Sequence, residues 1–466
     1  MLLACAASTD CFPPKACQNL FAAASHFCNL YADAKMSWDK IYRIRSYLRS
    51  SLWVVPFFAI PLELVITRVV HWLDRSFGWI FLDFSTEGAQ ALFQAIVSAT
   101  LAFVVFTFGF LLVAIQVASS QLTARLIATT LLRNPLVKYI VGLFIFTLLF
   151  AVSAQGRGTT NVHQLVAFVA ACLGILCFAM FFYLIDYALR FLRPISVLQY
   201  VGVDGITVID SVYPDPGVGP DTPASRHHTL DAPDRTVAHR GTSEIILAVN
   251  EKALVSLAQK GNCTIEVVPQ VGDFVAADEP LFRIFGDPEG VTESGLRTAV
   301  AFGSERTLEQ DPTFAFRIIV DIALRALSPA INDPTTGVIA IDQLHRLLRM
   351  VGKRHLRTDE IRDNSGRLCV VFRTPNWEDF VHLAFSEIRL CGSNNLQIVR
   401  RLRAMIENLI QTLPKHRHPA LLEQLGLLDR EIEQRFIYPE DLALARVADS
   451  QGLGGNAGRQ IGTENE

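Results

Sequence analysis

Residues 91–125, ALFQAIVSATLAFVVFTFGFLLVAIQVASSQLTAR, carry no charge before Arg125. At 1.5 Å of rise per helical residue, such a run is long enough to cross the roughly 30 Å hydrocarbon core of a bilayer. A soluble core helix does not need that length, so the chain is expected to be built into a membrane. The lipid bilayer is its first partner.

Residues 51–69, 136–154 and 162–189 meet the same test, which predicts four membrane helices over residues 51–193. Lys40, Arg43, Arg45, Arg49, Arg125, Arg133, Lys138, Arg190 and Arg193 flank one side of them. Arg68, Arg75 and Arg157 flank the other. Nine against three predicts a multi-pass protein with both termini in the cytoplasm. Trp53 sits near the inner end of the first helix, and Trp72 and Trp79 in an outer loop, where interfacial aromatics belong. An apolar share of 51% supports the membrane class, and a formal charge of −3 points to no nucleic-acid partner. The nine cysteines form no Cys-x-x-Cys pair and no Cys/His cluster at zinc spacing, so neither a metal nor another cofactor is expected.

Residues 1–35 lack the basic start of a secretory signal and are broken at Pro13-Pro14, whereas Met36 opens a short basic lead (MSWDKIYRIRSYLRS). The native start is expected at Met36, and residues 1–50 are read as a cytoplasmic lead. Residues 194–243 read as a linker. Within it, residues 213–241 are rich in Pro, Asp, Gly and His and suit a mobile loop, where His227, His228 and His239 lack a scaffold for metal binding. Residues 244–290 alternate as strands. Their Val271-Gly272-Asp273-Phe274-Val275 and Glu279-Pro280-Leu281 resemble half of a biotinyl/lipoyl-like domain without its modified lysine. That resemblance implies a small β-barrel-like module with no swinging cofactor. Residues 291–449 read as an α-helical domain, opened twice by Asp-Pro-Thr at Asp311 and Asp333, a capping acid before proline at the first helical position. Residues 450–466 read as a disordered tail. The fold class is therefore membrane α-helical, four helices, plus a cytoplasmic α+β region.

Residues 322–344, IALRALSPAINDPTTGVIAIDQL, resemble a bacterial family of predicted membrane proteins catalogued as domain of unknown function 2254. Trp53 to Pro56, residues 114–125 and Gly272-Asp273-Phe274-Val275 agree with it, over roughly residues 36–449; residues 1–35 match nothing in it. The resemblance implies a bacterial inner-membrane protein with four helices and a cytoplasmic C-terminal half. It implies no activity.

Four groups of residues are candidates for function. Glu63 is an ionisable group inside the first apolar segment, expensive there and a functional candidate by default; near the outer end it could instead snorkel or meet Arg68. Ala95, Ala99, Ala102, Phe106, Gly109, Gln116 and Ser120 recur, with Val113, at three- and four-residue steps, a stripe of mostly small residues that suits close helix packing or a permeation path. Ser328, Pro329, Asn332, Asp333 and Pro334 join two capped helices and could hold an anion at a helix N-terminus, or simply close the turn. Arg317, Asp321 and Arg325 form a charge ladder along one helical face, with Arg306 and Asp311 possible additions. Asp186 is expected to pair with Arg190, and Cys172 and Cys177 to pack. Neither a Gly-x-Ser-x-Gly elbow nor a His-Glu-x-x-His motif occurs, so no catalytic residue is expected.

Three readings follow, ranked by architecture. The first is an oligomeric channel- or transporter-like conduit bordered by the second helices, with the cytoplasmic part as gate or sensor. The second is a non-conducting, membrane-anchored scaffold or regulator that binds a cytoplasmic protein. An unrecognised membrane enzyme ranks third.

Overall fold

The computed structural model describes residues 37–51, 53–77, 84–121, 135–155, 163–191, 193–216, 232–287, 289–356 and 360–454. Met36, Trp79, Arg125, Arg133, Arg157, His227 and His228 lie outside these, as do residues 1–35, the tail from 455, and the side chains of Arg49 and Ser120.

The chain opens with α1 (Trp38–Ser50), an amphipathic helix, followed by α2 (Val54–Phe77), α3 (Thr86–Gln121), α4 (Pro135–Gln155) and α5 (Gln164–Phe191). Helices α3 to α5 are apolar almost all round, which suits a lipid surround. Helix α4 is the central member: half of its apolar window is buried, against 22–28% in α2, α3 and α5. It packs on α2, α3 and α5. The approach to α2 is close at Gly142, where a Cβ would lie 2.7 Å from Val55 Cγ1. Glycine is what permits it.

A fifth helix, α6 (Pro194–Val212), is also long and apolar enough to cross a membrane, so five helices qualify among the described residues where four were expected. Its lower hydropathy, 1.3 against 1.7–2.7 for the others, hid it inside the expected linker. Val197, Leu198, Val201, Val208 and Ile209 belong to the core of the helical region, together with α9 (Pro312–Ala326) and α10 (Pro334–Val351). At Gly205 a Cβ would meet Ala315 Cβ at 2.9 Å, so α6 and α9 touch nearly backbone to side chain.

The β-module is two sheets around one core. β1 (Arg235–Ala238), β5 (Pro280–Gly286), β3 (Cys263–Val267), β8 (Leu368–Phe372) and β7 (Glu360–Arg362) form the first, in that order; β4 (Phe274–Val275), β2 (Glu244–Val249) and β6 (Val300–Gly303) form the second. Helices α7 (Glu251–Lys260) and α8 (Glu293–Thr298) cover them. The expectation of helices alone after residue 291 is thus corrected by β6, β7 and β8, and β1 emerges from the expected loop. β3 and β8 are parallel, Ile265 opposite Val370, and a parallel pair needs a long crossover that local sequence does not announce.

Beyond the sheets follow α11 (Trp377–Gly392), α12 (Leu396–Thr412), α13 (His418–Arg435) and α14 (Pro439–Ala445). Residues 450–454, expected to begin a disordered tail, are tied down: the Asp449 carboxylate accepts the backbone N–H groups of Gln451, Gly452 and Gly454. Buried Arg400 donates to the carbonyls of Val447 and Gly454.

The charge ladder works between helices. Arg317 Nε donates to Asp321 at 2.6 Å, and its guanidinium grips Glu387 of α11 through two contacts, one of 3.0 Å. Arg325 is half-buried, and Arg306 stands 3.9 Å from Asp311. The bond from Arg317 holds the Glu387 carboxyl below the ordinary glutamate range, so its contribution is present at neutral pH and fades as pH falls through that lowered value. Glu387 is half exposed. Glu387→Gln should therefore cost only about 0.5 kcal/mol at pH 7. The difference from wild type should shrink as pH falls below the usual glutamate value and vanish once it is below the lowered one. Denaturation followed at Trp377 measures both, and a constant difference down to that pH would show that the pair is not the source.

Candidate functional site

Helix α2 continues to Phe77, beyond the expected end at residue 69, and this moves Glu63 from near an interface to mid-helix. Its side chain is 3% exposed, while Arg68 lies on the exposed face. The alternative in which Glu63 snorkels or meets Arg68 does not fit that burial. A carboxyl group so placed must be hydrogen-bonded, and the chain supplies a donor one turn on: Thr67 Oγ1 donates to Glu63 Oε1 at 2.7 Å. One further turn along, His71 Nδ1 lies 2.8 Å from the Thr67 carbonyl oxygen. A carbonyl can only accept, so Nδ1 of His71 carries a proton. Thr67 and His71 are themselves buried. Glu63, Thr67 and His71 thus form a polar file down one face of α2, spanning about 12 Å.

At its far end, away from the α+β region, the file meets α5. The rings of His71 and His163 lie edge to face with centroids 4.9 Å apart. His163 Nδ1 is 2.7 Å from Asp74 Oδ2, and Asp74 Oδ1 accepts the Leu165 backbone N–H at 3.0 Å. That N–H is one of the donors every helix N-terminus leaves over. Gln164 completes the clasp, accepting from the Phe84 N–H and donating to the Phe84 carbonyl, each at 3.0 Å. Both histidines line a small cavity with Thr86, Gln90 and Gln155. Its volume of about 20 Å³ matches one water molecule. Two imidazoles and a carboxyl group along this file are groups able to bind a proton, although the His71–Thr67 bond is to the main chain and the His71–His163 link is a ring contact.

The other candidates fall elsewhere. Ala95, Ala99, Ala102, Phe106, Gly109, Val113 and Gln116 all lie on the exposed face of α3. The bundle instead receives Phe93, Ile96, Thr100, Phe103, Thr107, Leu111 and Ala114. Nothing lies within 4 Å of a Cβ built on Gly109, and Phe106 touches Phe181 edge-on at 5.2 Å. At the Ser-Pro turn, Ser328 Oγ donates to the Arg325 carbonyl, Asn332 adopts a left-handed φ of 49°, and Asp333 caps α10 by accepting from Thr336 N–H and Oγ1. These groups satisfy their own turn. Asp186 pairs with Arg190, Cys177 donates to Thr147 in the bundle core, and Cys172 is exposed. His239 is buried in the β-module and bonds the Thr242 carbonyl. Among the described residues, no group of three His, Cys, Asp or Glu side chains could hold a metal ion.

The sequence reading missed Asp74, His71 and His163. The four-residue steps from Glu63 through Thr67 to His71 were visible on α2; the link to His163, 92 positions beyond His71, was not. Asp74→Ala should destabilise the detergent-solubilised protein by about 2 kcal/mol, since it strips a charged acceptor from both His163 and the α5 N-terminus. An unchanged melting temperature would show that the clasp carries no stability.

The comparisons with known proteins agree with a membrane assignment. The family model described as predicted membrane protein (DUF2254) matches residues 49–408. Uncharacterized proteins of Mycobacterium bovis and Mycobacterium tuberculosis are each 26% identical over 423 residues, covering 86% of this chain and 80% of the relative. No solved structure matches. With a match over most of its length, this chain belongs to the predicted membrane protein family DUF2254.

Proposed function

We propose that this chain is an oligomeric bacterial inner-membrane conduit for protons or small cations, with Glu63 as its intramembrane protonatable site. The observation that carries this reading is the file itself: a carboxyl group buried at mid-helix and bonded by the Thr67 hydroxyl, with His71 one turn further on, bonded to the Thr67 main-chain carbonyl and in ring contact with the His163–Asp74 pair. A bundle that needed only to anchor a domain would gain nothing from an acid there, because an intramembrane carboxyl group costs free energy that leucine does not. In this reading α2 to α5 cross the bilayer, α6 belongs with the cytoplasmic helices, and both termini are cytoplasmic. The α+β region is then the gate or sensor. The exposed stripe on α3 faces neighbouring subunits and borders the path between them, since four helices are few to enclose a path alone.

Proton flux into proteoliposomes, read with a pH-sensitive dye, tests the assignment. Glu63→Gln should lower the rate by at least roughly tenfold, as expected when a group that transfers a proton is removed. A wild-type protein that moves neither protons nor small cations faster than empty vesicles would sink it. The stripe has its own test: Phe106→Ser opens a polar gap on that face and should raise ion leak. Unchanged permeability with an unchanged oligomeric state would return the stripe to lipid contact.

A further inference from the structure

Helix α1 has two faces, and the β-module covers one of them. Trp38, Asp39, Tyr42 and Ser46, at three- and four-residue steps, are its less exposed positions, on the side where the helix packs on β6 and α8. On the opposite side Ile41, Ile44 and Leu48 form an apolar stripe, each residue 43–46% exposed. Lys40 stands on one flank of that stripe and Arg45 on the other. Both are exposed, and neither has an ion-pair partner among the described residues, whereas Arg43 is paired with Asp39 at 3.0 Å. Helix α8, which α1 touches, adds to the positive charge: Arg235, Arg240 and Arg297 share the single carboxylate of Glu293.

The chain itself sets the depth of this helix. Only residues 51–53 separate α1 from α2, which is long and apolar enough to cross a membrane. Across that connection Trp53 Nε1 donates to the Tyr47 hydroxyl at 3.4 Å, and the exposed Trp53 ring begins a run of exposed aromatics with Phe57 and Phe58. The charges of α1 exclude it from the hydrocarbon core, and its uncovered stripe is costly in water. A helix with an apolar stripe between cations lies in the plane of the interface, where both demands are met.

We propose that α1 binds the anionic lipid surface of the bilayer, with Ile41, Ile44 and Leu48 entering the acyl boundary and Lys40 and Arg45 meeting anionic headgroups. A zwitterionic lipid answers the stripe but not the two cations; a soluble phosphate answers the cations but not the stripe. Because the other face of α1 packs on β6, lipid bound here seats the β-module against the membrane. The inference rests on α2 crossing the bilayer and is independent of the conduit reading.

Hydrogen exchange over residues 38–50, measured on the full chain in lipid discs, tests it. Discs of phosphatidylcholine alone are compared with discs of phosphatidylcholine and phosphatidylglycerol mixed at about three to one. Exchange should be slower in the anionic discs by about fivefold or more, the effect of a single cation–headgroup contact. The double variant Lys40→Gln, Arg45→Gln should remove that difference, and Ile44→Ser should speed exchange in both kinds of disc; unchanged exchange over α9 and α10 shows that the variants are folded. High salt should shrink the difference in the wild type, which decides the matter if the double variant misfolds. Inorganic phosphate added to phosphatidylcholine discs should leave exchange as it is. Equal exchange in the two kinds of disc, a difference that survives high salt or the folded double variant, or protection by inorganic phosphate alone would overturn the proposal. No flux is measured, so failure of proton movement does not bear on it.

Discussion

A carboxyl group in the middle of an apolar membrane helix constrains everything around it, because lipid offers it neither hydrogen bonds nor solvation. Glu63 therefore cannot face the bilayer, and its position fixes which side of α2 turns inward. Ala59, Glu63, Thr67, Val70 and His71 are the buried residues of that helix, one face at three- and four-residue steps. Once that face is inward, His71 is carried to α5 and Asp74 to the α5 N-terminus. The polar clasp thus lies on the same inward face as the one expensive side chain.

The membrane bundle and the α+β region are joined twice. Helix α1 packs on β6 and α8 and leads directly into α2. Helix α5 leads through Pro194 into α6, which is sewn into the helical core. The first joint thus attaches the β-module to the helix that bears Glu63 and His71; the second attaches the helical part to the helix that His163 precedes.

What could be read from sequence was whatever depends on neighbours along the chain. The long apolar runs, the Asp311 and Asp333 caps and the strand alternation after residue 244 are local, and the structure contains them. The helix α6 was lost because Asp204 and Asp210 lower its hydropathy while its other face is buried by α9 and α10, a tertiary effect. The strands β7 and β8 were lost because their partner β3 lies about a hundred residues upstream; Thr264, bonded to the Leu368 carbonyl, is 104 positions away. The same distance problem separated Glu63, readable as an intramembrane acid, from the His163–Asp74 pair that gives it a continuation. A group's cost is legible locally, but its partners are not.

The exposed stripe on α3 shows how burial decides between two readings of one pattern. Small residues at three- and four-residue steps favour close helix contact, yet inside this subunit that contact is made at Gly142 and at Gly174 against Ile96. Ala95, Ala99, Ala102 and Gly109 leave a shallow, nearly side-chain-free surface along the outside of α3. Lipid chains fill such a surface without gaining what a second helix would, because a helix can bring its own backbone to the same depth and add van der Waals contact along the whole length. Phe106 interrupts the surface halfway and rests against Phe181, a position where it limits that approach without being buried by it. A neighbouring α3 would pack most closely on either side of Phe106 and be held apart at it. In the proposed oligomer such a spacing would leave a constriction at Phe106 between two zones of tight contact, with the polar Gln116 on the same face toward the α+β end.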